Sequence, residues 1–69
     1  MEPTWALTKP GVLSLQNTKF TVVLIIPGDY RIYQNDKQIP SSGSYSILSY
    51  AKQRVLELVR EMVEMGMEP

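Results

Sequence analysis

The 69-residue sequence has no cysteine and no histidine. The first absence excludes disulfides. Together they exclude a Cys/His zinc site. The second also removes the imidazole on which ordinary acid–base catalysis and hydrolytic triads rely. Net charge is absent too, since seven Lys/Arg offset seven Asp/Glu. A neutral chain has no global field with which to gather nucleic acid or an anionic membrane. Apolar runs are short: the longest, residues 22–26, has five residues, where a membrane-spanning helix needs about 20. Met1-Glu2-Pro3 lacks the basic and apolar regions of a secretory signal, so cytoplasmic residence is expected.

What is there suits a single domain over residues 1–69. A domain this small buries only about 60% of the surface that its unfolded chain exposes. Small scaffolds usually add a staple. With disulfides and zinc excluded, oligomerisation is the device left, and a homodimer is expected.

Turn residues punctuate the chain at short intervals. Pro10-Gly11, Asn17-Thr18, Pro27-Gly28-Asp29 and Asn35-Asp36 separate apolar stretches. Pro-Gly suits the central positions of a type II turn, because Pro presets φ and Gly accepts φ > 0. Asn-Asp accepts the left-handed conformations of a two-residue hairpin loop. The spacing predicts strands over 4–8, 12–16, 19–26 and 30–34, with a short run at 37–39. Residues 19–26 are rich in β-branched side chains and carry the firmest strand signal. Pro40 is expected to end the sheet, and Ser41-Ser42-Gly43-Ser44 to lie in a flexible link spanning 40–45.

If 17–18 and 35–36 are two-residue loops and 27–29 a three-residue loop, one face collects Leu13, Leu15, Phe20, Val22, Leu24, Ile26, Tyr30, Ile32 and Ile39. In that register Ile26 faces Tyr30 and Leu24 faces Ile32. The other face carries Val12, Thr21, Val23, Ile25, Arg31, Tyr33 and Gln38. A half-solvated sheet should alternate apolar-in and polar-out, and Val23 and Ile25 break that rule.

Residues 46–65 read as one amphipathic helix. At about 100° per residue, Ile47, Leu48, Ala51, Val55, Leu58, Met62 and Met65 share a centre. Ser44 or Ser46 is the expected N-cap and Gly66 the expected C′ residue. The predicted fold is therefore α+β: a small antiparallel meander of three to five strands, then one C-terminal helix packed on one face. The helix's apolar arc is wider than the ~100° stripe that one docking face requires. Leu56, Val59 and Val63 form an uncovered flank in this reading, and they are expected to lie beside Val23 and Ile25.

Catalytic patterns are few. Ser49-Tyr50-Ala51-Lys52 fits S-x-x-K by letter, but the companion motifs of penicillin-binding enzymes are missing and the chain is too short for that fold. Glu57, Glu61 and Glu64 line a helix edge as a solvated face. Asp29 and Asp36 lie in turns, where bonding to the local backbone accounts for them. No catalytic residue, cofactor or metal is expected, and the chain is read as a non-enzyme.

The expected function is a non-enzymatic protein–protein interaction module, dimeric and of accessory or inhibitor type. Its size suits the small proteins that phages and mobile elements carry. The expected interface comprises Val23, Ile25, Arg31, Tyr33, Leu56, Val59 and Val63, since Tyr and Arg are frequent interface anchors. The competing expectation is a nucleic-acid-binding regulator using Arg31, Tyr33 and Lys37, with the aromatic stacking on bases and the cations on phosphates.

Overall fold

A computed structural model describes residues 4–39 and 43–69. It shows an antiparallel sheet followed by one helix packed on one of its faces. The strands are β1 (Trp5–Lys9), β2 (Val12–Leu15), β3 (Phe20–Ile26), β4 (Asp29–Gln34), β5 (Lys37–Gln38) and β6 (Ser44–Tyr45); the helix is α1 (Leu48–Glu64). Strands β1 to β5 lie side by side in chain order, and β6 also pairs with β4. β5 takes the end of β4 at Tyr33 and Gln34, and β6 the end at Tyr30 and Arg31.

Most of the expected turn chemistry is present. Gly11 (φ +75°) and Gly28 (φ +82°) hold the left-handed position after proline. Asn35 and Asp36 both have positive φ (53° and 64°), as a type I′ hairpin requires. Gln34 then pairs with Lys37, and the Ile39 N–H donates to the Ile32 carbonyl at 3.0 Å. The loop near residue 17 is wider than two residues. Asn17 alone has positive φ. The Thr18 N–H and hydroxyl both donate to the Leu15 carbonyl, and Thr18 Oγ1 accepts from the Phe20 N–H. Leu13 still meets Val22.

The loop at 27–29 differs from expectation. Asp29 belongs to β4 and pairs with Ile26, so the loop is two residues long. A bulge between Leu24 and Ile26 leaves Ile25 without a partner, and Leu24 faces Tyr30 while Val22 faces Ile32. Asp29 and Arg31 stand two apart on one strand and share an ion pair, which gives Asp29 a reason to be in strand. The register is thus two residues from the expected one. A two-residue offset preserves faces, where a one-residue slip would invert them.

The core is Leu15, Phe20, Val22 and Ile32 from the sheet with Ala51 and Val55 from α1. Ala51 and Val55 are one helical turn apart and carry short side chains, which lets α1 lie close over β3, β4 and β6. Leu48, Leu58 and Met62 extend the same stripe and pack against the core.

The helix is shorter than expected at both ends. The N-cap is Ile47, not Ser44 or Ser46, and it makes no side-chain cap bond. Ser44 is occupied in β6, so the expected link is partly strand; Pro40, Ser41 and Ser42 lie outside the described residues. At the other end Gly66 (φ +78°) is the C′ residue. The Met67 N–H donates to the Met62 carbonyl and the Gly66 N–H to the Val63 carbonyl, a Schellman pair. The exposed Ile47 has the extended backbone of a cap residue (φ −125°, ψ 128°), and no acidic residue sits in the first turn. Ile47→Asp supplies both the missing acceptor and a charge at the positive helix end. It is expected to stabilise the chain by about 1 kcal/mol, raising Tm by roughly 4–8 °C in a calorimetric scan. A fall in Tm would mean that the Ile47 side chain contributes packing instead.

Candidate interaction site

Two surfaces remain outside the core, one on each face of the sheet. The back face, away from α1, carries the row Ala6, Ser14, Thr21, Tyr33, Gln38 and the row Val12, Val23, Arg31, Ser44 across successive strands. Polar and small residues dominate it. Thr8 and Ser14 share a hydroxyl hydrogen bond at 3.2 Å. A shallow depression of about 580 Å³ runs over Thr8, Val12, Ser14, Thr21, Val23 and Tyr33, with Lys9 and Asp36 at its edge.

The back-face arginine is not a free cation. Its Nε and one terminal nitrogen donate to the two Asp29 carboxylate oxygens at 3.2 and 3.3 Å. That hydrogen bond, followed by the charge of Asp29, holds the Arg31 guanidinium above its ordinary pKa and offsets its positive field. Val23 is half-buried between Val12 and Arg31. Ile25 breaks the alternation because it occupies the bulge.

The expected interface residues divide between the two sides. Val23, Arg31 and Tyr33 share the back face, Ile25 lies in the bulge, and Leu56, Val59 and Val63 are on the helix over the opposite face. Leu56 and Val59 do not need outside cover, because both are half-buried against the core. On the same helix edge, Lys52 Nζ sits 5.5 Å from the centre of the Trp5 ring, a cation–π contact that ties α1 to β1. Val63 alone of the three is open, at 59% exposure. The expected nucleic-acid set divides as well. Lys37 pairs with Gln34, and so lies on the face opposite Arg31 and Tyr33.

The second surface lies on the helix side. Leu7, Leu13, Val22, Leu24 and Tyr30 all point to the face that carries α1. The helix packs chiefly on β3, β4 and β6 and meets β1 at Trp5, while Leu7 and Leu24 stay open to solvent. Leu7 is 68% exposed and Leu24 38%. Leu7, Gly11, Leu13, Val22, Leu24 and Tyr30 join Leu48 of α1 around an apolar cleft of about 180 Å³. Gly11 forms part of its floor: a Cβ there would lie 3.6 Å from the Leu24 carbonyl oxygen. Ile26, expected on the core face, is instead turned to the back face by the bulge, opposite Asp29, and is 59% exposed. Leu24 shows how this cleft differs from the expected packing: it has the right face, but the helix does not reach it.

Among the described residues no helix is long and apolar enough to cross a membrane. Comparison of the chain with protein-family models, curated proteins and solved structures gives no match.

Proposed function

We propose that this chain is a non-enzymatic protein interaction module, dimeric and of accessory or inhibitor type, whose partner protein inserts one apolar side chain into the helix-side cleft. The observation that carries this reading is the cleft itself. Its wall is almost entirely apolar, and its 180 Å³ is close to a cavity of about 150 Å³ that holds benzene. One Phe, Leu or Ile side chain fills such a space. Leu7 extends the apolar surface at its rim, and grouped exposed apolar residues mark interaction sites more often than single ones.

The nucleic-acid reading has weaker support. Arg31 is engaged by Asp29, Lys37 faces away from Tyr33, and Asp36 stands at the edge of the back-face depression. Such a surface lacks the concentrated positive charge that phosphate binding uses.

Site-specific photocrosslinking tests the assignment. A photoreactive side chain at position 24 is expected to give one defined protein adduct in extract of the native host. The same group at Thr21, on the back face, is expected to give none. Adducts from position 21 and none from position 24 would overturn the choice of surface.

A further inference from the structure

The two edges of the sheet are unlike. The β5/β6 edge is split into strands of two residues each, which is how folded proteins commonly blunt an edge. The β1 edge is five residues long, and Trp5, Ala6, Leu7 and Thr8 are uncharged. Its bulge lies between Leu7 and Lys9, beyond the regular stretch.

The pairing with β2 fixes which groups of β1 remain open. The Gln16 N–H donates to the Thr4 carbonyl, so Thr4 and, two residues on, Ala6 direct their backbone groups towards β2. By the alternation of an antiparallel ladder, the N–H and C=O of Trp5 and Leu7 point outward. We infer that two copies of this chain associate through β1, antiparallel about a two-fold axis at Ala6. Trp5 of each copy then pairs with Leu7 of the other through four backbone hydrogen bonds. This register uses every outward group of the regular stretch and satisfies the self-complementarity of a two-fold interface.

The side chains agree with this register. Trp5 and Leu7 both face the helix side, so the exposed Leu7 of one copy is covered by the Trp5 ring of its partner. Ala6 meets Ala6 on the back face, where no bulk obstructs approach. The inference deepens the dimeric part of the proposed function, yet its tests need no partner protein, so it can fail while capture from position 24 succeeds.

The absence of native cysteine makes a register-specific test available. In a non-hydrogen-bonded antiparallel pair the Cα atoms lie about 4.5 Å apart, within the range that a disulfide spans. Ala6→Cys is therefore expected to form a disulfide-linked dimer on mild oxidation, roughly tenfold or more faster than unassociated chains, because association raises the local thiol concentration. Thr8→Cys is the control. Two copies of residue 8 are four strand positions apart, about 13 Å, too far to bridge. Equal rates for the two variants would overturn the inference. The unmodified chain gives an independent reading: sedimentation equilibrium at millimolar chain is expected to approach twice the 7.9 kDa of one chain. A mass that stays at one chain would overturn it too.

Discussion

Phe20→Ala is expected to unfold this chain at ordinary temperatures. Phe20 is 1% exposed and lies between Leu15, Val22 and Ile32 in the core that Ala51 and Val55 cover. Removing a buried ring leaves a cavity as well as losing transfer energy, at a cost of about 3–5 kcal/mol. A single core in a domain of this size rarely supplies more than about 3–5 kcal/mol, so the loss takes most of it or all of it. Urea denaturation followed by circular dichroism measures this directly. Leu7→Ala is the matched comparison. That side chain is mostly exposed, and its loss is expected to cost a single chain no more than about 0.5 kcal/mol. A Phe20→Ala midpoint close to the unmodified one would mean that the core is centred elsewhere.

Leu24→Asp is expected to separate binding from folding. Leu24 lines the cleft but lies outside the six-residue core. A carboxylate there places a charge where an apolar side chain must enter, and burying an unpaired charge is strongly unfavourable. Affinity for the partner caught from position 24 is expected to fall about 30-fold or more, the scale of losing a central anchor of 2 kcal/mol. Stability is expected to change by less than about 1 kcal/mol. If Leu24→Asp instead unfolds the chain while binding tracks the folded fraction, Leu24 is a packing residue and the cleft is not the binding site.

The residues announced the faces of the sheet more clearly than its extent. Asn35-Asp36 set its hairpin because those two residue types tolerate left-handed backbone, and alternation from Val22 to Ile32 followed. The bulge at Ile25 left no such mark. Five consecutive apolar residues contain no polar position to show which of them steps out of register. Asp29 looked like a turn residue; its strand position depends on Arg31, two residues on, and local turn preference does not contain that pair. Strand β6 was hidden because Ser44 and Tyr45 follow a serine-rich stretch with no alternation to read.

The candidate surface was less legible, for a different reason. Periodicity shows which face of α1 is apolar, but not how much of the sheet the helix spans. The breadth of the apolar arc suggested an uncovered helix flank. In the fold, Leu56 and Val59 are packed against the core, and the uncovered apolar area is on the sheet at Leu7 and Leu24. One signal was available in the residues: Leu7, Leu13 and Leu24 share a face with the core, and one helix is too narrow to cover that face from β1 to β4. The separation of Val23 from the helix flank was available as well, since any register that buries Val22 beneath α1 turns Val23 away from it.

This chain is proposed to meet other chains at the β1 and cleft end of its helix side. A dilution series followed by two-dimensional amide NMR, from millimolar to micromolar chain, tests it most directly. Resonances of Trp5, Ala6 and Leu7 are expected to move or broaden with concentration, followed by those of Leu13 and Leu24, while Thr21, Arg31 and Tyr33 stay fixed. A spectrum unchanged across the series, or shifts centred on Val23 and Tyr33, would contradict it.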